Sequence, residues 1–322
     1  MATDCDKVPI IDISALVQYI GTNMENDEGV REVVTSIDKA CRETGFFYVK
    51  GHGIPSSLLK EVRELSHQFF ELPLEEKLKI KLSPATGYRG YQEVGDNFTK
   101  GVRDKQEAID LYKEFEQGMY RSLGKQFEAP NLWPSQNVQT VMEEYVILCK
   151  ELAKTIMRGI SLALGGVTTS LEGNVAGDPF WMLRLNGYPP NLNDTRNHIG
   201  CGIHTDYGLL GLLNQDDNIR ALQIQKRSEE WIWAPPIPDT FVCNIGDMIE
   251  ILSNGIYKST PHQVLNTSSD YRVSVGFFYE ANFESSIQPL EFCIEKSGSV
   301  RKFGSTIYGN HLAQKVKNNF KF

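Results

Sequence analysis

Arg272-Val273-Ser274-Val275-Gly276-Phe277-Phe278-Tyr279-Glu280 is the stretch on which the fold turns. Side chains on a strand alternate between its two faces, so Arg272, Ser274, Gly276, Phe278 and Glu280 share one side. WMLRLNGY (181–188) reads the same way and places Met182, Arg184, Asn186 and Tyr188 together. A face carrying Arg, Ser, Glu, Asn and Tyr makes a poor hydrophobic core. It suits either the lining of a wet cavity inside a barrel or the solvent side of the barrel wall.

Between these two runs lie GLLGLLN (208–214), ALQIQ (221–225), WIWAPPI (231–237) and TFVCNIG (240–246), separated by turn residues. Short strands at near-regular spacing predict a β-barrel or jelly roll, with Trp181, Trp231 and Trp233 as packing residues. The chain before them reads differently. VPIIDIS (8–14) and Phe46-Phe47-Tyr48-Val49 are strand-like, and apolar residues from Val30 to Cys41 follow helical spacing up to Gly45. A second helix follows, capped by Ser56 or Ser57, and a long one covers roughly 137–164 before Gly165. Residues 84–105 read as loop. The expected fold class is mainly β with α: a jelly-roll core at 178–285, helix-rich support at 1–165, and a C-terminal segment at 286–322 with a short helix near 308–316.

Composition excludes several classes of function. The 322 residues carry 33 Lys+Arg against 41 Asp+Glu, a net charge of −8, so no basic stripe offers itself to nucleic acid. EEKLKIK (75–81) reads as a solvated helix face. No apolar run approaches the ~18 residues needed to span a bilayer. The first ten residues lack an apolar signal region, and the last carry no targeting tripeptide. Six scattered cysteines with no C-x-x-C pair suggest isolated thiols in a reducing compartment, and the cytoplasm is the expected location.

The chemistry rests on few residues. His204-Thr205-Asp206 sets two metal-capable side chains at i and i+2, on one face if the segment is extended. His262, 56 residues after Asp206, stands near another strand and can supply a third ligand. Two imidazoles and one carboxylate leave three positions of an octahedral ion open, the arrangement of non-haem Fe(II) oxygenases. By itself H-x-D also describes an ordinary surface or core pair. Arg272 and Ser274, ten and twelve residues on, can together hold a carboxylate. His52 reads as a structural loop residue; His67 and His198 have no partner at ligand spacing.

At these residues the chain resembles the plant 2-oxoglutarate- and Fe(II)-dependent dioxygenases, which have the isopenicillin N synthase-like fold. HTD (204–206), His262 and RVS (272–274) stand at the spacing of that family. VPIIDIS, ACRETGFFYVKGHGI (40–54), RLNGYPP (184–190), LQI (222–224), NIGDMIEILSNG (244–255) and SVGFFYE (274–280) match further segments, so the resemblance covers nearly the whole chain. It is greatest to a plant branch carrying HTDYGLL (204–210), which hands over no substrate.

The resemblance implies a double-stranded β-helix core with iron on His204, Asp206 and His262. It implies 2-oxoglutarate on Arg272 and Ser274, with Tyr188 and Asn186 beside it, and a main substrate facing Arg184, Phe278 and Glu280. It further implies O2 as oxidant, ascorbate as activator, and release of succinate and CO2. A small plant metabolite or hormone would be hydroxylated, desaturated, cyclised or demethylated, and the aromatic wall suggests an aromatic or alkaloid compound. The alternatives are a same-fold oxidase that does not use 2-oxoglutarate and a non-catalytic jelly-roll binding protein. Four positions depart from the family pattern: Gly187 for Tyr, Gly211 for Thr, Gln263 for Arg, and Pro261 before the distal ligand. Gly187 and Gly211 are expected to widen the substrate space.

Overall fold

The computed structural model describes residues 7–19, 23–190 and 199–319. An eight-stranded sheet runs in the order Ile10–Asp12, Phe46–Lys50, Phe241–Ile245, Leu210–Gln215, Arg272–Tyr279, Trp181–Tyr188, Glu107–Tyr112 and Gly90–Gln92. A four-stranded sheet runs in the order Trp231–Trp233, Leu222–Gln225, His262–Leu265 and Ile199–His204. These sheets form the two walls of a jelly roll. Strands from the N-terminal half extend both edges of the larger wall, so that half supplies sheet as well as helices.

Arg272–Tyr279 is central to the larger sheet, pairing with Trp181–Tyr188 on one side and Leu210–Gln215 on the other. Its alternation settles which way the polar face points. Val273, Val275 and Phe277 are fully buried in the core that the sheet shares with the helices. Ser274, Gly276, Phe278 and Glu280 turn inward and, with Met182, Arg184, Asn186 and Tyr188, line a cavity. The face that makes a poor core is therefore the inside of the barrel, and solvent on that face is excluded as an explanation.

The helices follow their periodicity. Glu28–Glu43 starts at Asp27, whose carboxylate accepts from Val30 N at 2.9 Å, and buries Val30, Val33, Ile37, Ala40 and Cys41. Gln136–Leu164 is capped by Ser135 and stops at Gly165, whose φ of +93° suits a glycine. Ser56–Phe70 differs from expectation: it follows Pro55 with no side-chain cap, and both serines sit inside its first turn. The final helix runs longer than expected, over Tyr308–Asn319. The stretch read as loop holds strand Gly90–Gln92 and the small hairpin Phe98–Thr99/Val102–Arg103. Gly90 has φ +112°, and a Cβ there would lie 2.2 Å from Ile80 O, so a glycine that looks like loop punctuation is what lets this strand pass close to the backbone.

A buried polar knot ties the supporting half to the barrel. Glu107 accepts from Lys77 Nζ at 2.7 Å, Tyr91 Oη at 2.6 Å and Tyr271 Oη at 2.7 Å. Removing only the cation would leave a buried carboxylate facing two phenols. Lys77→Met is therefore expected to destabilise the fold by about 3–5 kcal/mol, and chemical denaturation will measure it. Removing the exposed Lys60 in the same way should leave the midpoint where it is.

Candidate active site

His204 ends one strand of the smaller sheet and His262 begins its neighbour, and the register places them directly opposite. Their ring centroids are 4.2 Å apart. Asp206 lies past the strand end, so a turn and not the strand pleat brings it in. Its Oδ1 is 3.8 Å from His204 Nε2 and 3.6 Å from His262 Nε2. One ligand atom from each of the three lies within 4.8 Å of the others.

The surrounding hydrogen bonds orient these atoms. His204 Nδ1 lies 2.8 Å from Gly202 O and His262 Nδ1 3.1 Å from Thr260 O, contacts in which Nδ1–H donates and Nε2 keeps its lone pair. Burial pushes His262 down to about 4 and keeps its imidazole neutral. Asn244 Nδ2 donates to Asp206 Oδ2 at 2.6 Å, leaving Oδ1 for a metal. A Cβ on Gly211 would stand 2.7 Å from Asn244 Oδ1 and 3.1 Å from Asp206 Oδ2, so that glycine leaves room for this contact. Asn244 went unassigned in the sequence, although it sits in the motif NIGDMIEILSNG.

Arg272 is 0% exposed and opposes Tyr188 across the sheet, as Ser274 opposes Asn186. Its guanidinium carbon is 4.9 Å from the Tyr188 ring centroid and its Nη2 donates to Gln215 Oε1 at 3.1 Å. Nε and Nη1 have no hydrogen-bond partner. Burial holds this arginine below its usual range, as expected of a cation out of water without an anion. Next to it, Asp216 accepts from Val273 N at 2.6 Å and lies 2.9 Å from His67 Nε2. The hydrogen bond to Asp216 raises His67 above its usual range. Helix Ser56–Phe70 is thus fastened beside Arg272 through a partner that no local spacing could reveal.

The cavity, of about 130 Å³, takes apolar walls from Phe46, Phe180, Leu222, Val242, Val264 and Phe278. Arg184 lines it, but its guanidinium is held by Asp110 (Nε–Oδ1 3.3 Å), Gln92 Oε1 (3.1 Å) and Asn97 Oδ1 (2.8 Å). Glu280 also lines it; burial above all pushes its carboxyl up to about 8, although the nearby Tyr308 hydroxyl works the other way. His52 is a loop residue, as expected: its Nδ1 accepts from Ile54 N at 3.1 Å and its Nε2 lies 3.2 Å from Asp239 O. His198 lies outside the described residues.

Two family models match the chain, a non-haem dioxygenase N-terminal region over residues 8–136 and the 2OG-Fe(II) oxygenase superfamily over 179–281. Homoarginine-6-hydroxylases of Glycine max and Oryza sativa subsp. japonica are 56% and 54% identical, each over 99% of both chains. The chain belongs to the 2-oxoglutarate- and Fe(II)-dependent oxygenases. A full-length Neurospora crassa protein, solved in complex with alpha-KG and 5-formyluracil, superposes with a TM-score of 0.84 at 26% identity, over 99% of this chain and 98% of that one.

This oxygenase is a 2-oxoglutarate-dependent dioxygenase that uses Fe(II) to oxidise a small metabolite. Its own residues fit both groups: two imidazole nitrogens and a carboxylate oxygen converge on one point, and a buried arginine lacks an anion. The departures from the family pattern sort themselves by face. Gly187 does not widen the substrate space as expected, because a Cβ there would point at Tyr271 Oη, 2.0 Å away, and Phe70. Gln263 pairs with Gln223 across the smaller sheet (Nε2–Oε1 2.9 Å). If the Asn244 contact orients Asp206, Asn244→Ala should weaken divalent-metal binding about 10–100-fold, read by anaerobic calorimetric titration of Fe(II). Asp206→Ala should lose binding altogether.

Proposed function

We propose that this oxygenase hydroxylates homoarginine or a closely similar guanidino amino acid in the cytosol. His204, Asp206 and His262 hold the iron. Arg272 and Ser274 hold the far carboxylate of 2-oxoglutarate beside Tyr188 and Asn186. Arg184, Phe278 and Glu280 border the substrate, and ascorbate keeps the enzyme active. The substrate reading is supported by the named activity of relatives more than 50% identical over the full chain. The buried acid Glu280 on the cavity lining favours it over the aromatic or alkaloid compound that the aromatic wall suggests. The cytosolic setting is supported by the five described cysteines all being free.

The observation that carries the cosubstrate assignment is the buried Arg272 with two unpartnered nitrogens. The iron, when bound, supplies O2 activation, and the balance is 2-oxoglutarate + O2 + R–H → succinate + CO2 + R–OH. The protein's part is positional. His204, Asp206 and His262 would hold the iron from one side and leave its other side free. Arg272 fixes one end of the cosubstrate by a charge-assisted contact away from water. The apolar walls exclude solvent from the space between cluster and substrate.

Arg272→Leu should raise the 2-oxoglutarate KM by the loss of a desolvated charge pair worth about 2–5 kcal/mol, and Ser274→Ala by about 1 kcal/mol. Succinate release against 2-oxoglutarate concentration, with Fe(II) and ascorbate present, measures both. Homoarginine should stimulate that release and appear as a product heavier by one oxygen in mass spectrometry; no stimulation would sink the substrate assignment.

A further inference from the structure

Among the described residues, two carboxylates line the cavity, Asp206 and Glu280. Asp206 belongs to the metal cluster. Glu280 is 5% exposed, and its Oε2 has no hydrogen-bond partner. The carboxyl group lies over Gly208, where a Cβ would fall 1.3 Å from Oε2 and 2.1 Å from the carboxyl carbon. Any side chain at Gly208 would displace it. The acid thus fills a place kept clear for it beside the turn that carries Asp206.

Neither buried arginine on the inward face of this sheet serves Glu280. Arg184 is held by Asp110, Gln92 and Asn97. Arg272 lies eight residues away on the same strand face, roughly 25 Å at the usual rise per residue. The Tyr308 hydroxyl stands beside the carboxyl, but it is a neutral donor and brings no counter-charge. Burying an acid with no counter-charge is unfavourable, and a purely structural acid would have been given a partner. What Glu280 lacks is a cationic partner.

We infer that Glu280 selects the substrate by its charge, its Oε2 accepting N–H donors from the cationic guanidinium. This rests on the guanidino amino acid reading above and adds the residue that discriminates. A cation bound there completes the hydrogen bonding of Glu280 and favours its carboxylate form, whereas a neutral isostere supplies donors without charge.

The experiment titrates homoarginine and its uncharged ureido isostere, homocitrulline, into the anaerobic Fe(II)·2-oxoglutarate enzyme by calorimetry. The parent and the variants Glu280→Gln and Glu280→Asp are compared. The parent should bind homoarginine about 100-fold more tightly than homocitrulline. Glu280→Gln should lose most of that preference by weakening homoarginine alone, to within about tenfold of homocitrulline, with Glu280→Asp in between. Undiminished preference in Glu280→Gln overturns the inference and leaves the substrate reading standing. Equal weakening of both compounds, with a lowered melting temperature, also overturns it and makes Glu280 structural. A parent that binds 2-oxoglutarate but neither compound overturns the substrate reading itself, and the inference with it.

Discussion

The antiparallel ladder between Arg272–Tyr279 and its two neighbours governs the rest of the molecule, because each of its residues must face either the helices or the barrel interior. Val273, Val275 and Phe277 pack against the helical layer, and the residues between them, Ser274 and Gly276, face the cavity. A slip of one residue would drive Arg272 and Ser274 into the helices and present valines to the barrel interior. The register is fixed from outside: Asp216 grips the backbone of Val273, while Glu107 grips the hydroxyl of Tyr271. Both belong to networks that reach helices or strands of the N-terminal half, which is why that half is part of the active barrel's construction.

Polar groups in the interior fall into two kinds. Glu107 with Lys77, and Arg184 with Asp110, are matched within the chain and hold architecture. Arg272 and Glu280 are not matched, and each exposes unpartnered atoms in a place that water reaches poorly. A protein gains no stability from such groups. The proposed cosubstrate and substrate would complete them, an anion at Arg272 and a cation at Glu280, at opposite ends of the strand Arg272–Tyr279. The hydrogen bonds that orient the cluster come from backbone carbonyls and from Asn244, so its geometry is set before any ion arrives.

Alternation and motif spacing were enough to read most strands of the jelly roll, which residues share the polar face, and the three metal-capable residues directly from the chain. These features depend on nearest neighbours along a strand or on short spacings, and such periodicities survive in the sequence. Asp206 shows where the logic works for another reason: it was placed by strand parity, yet a turn carries it inward. The loop expected at 84–105 contains strands because Gly90 permits a close backbone passage, something glycine's identity alone does not announce.

What only the tertiary structure decided are the relations between distant residues. His67 meets Asp216 across 149 positions, Gly187 makes room for Tyr271 and not for substrate, and Arg184 is claimed by Asp110. Whether a charge inside a barrel is matched depends on which strands lie side by side, and that follows from chain topology and burial acting together. The sequence by itself determined which residues could do chemistry and which face they share. Folding decided which of them were left without a partner, because pairing inside a low-dielectric core is a property of three-dimensional neighbours and has no local signature.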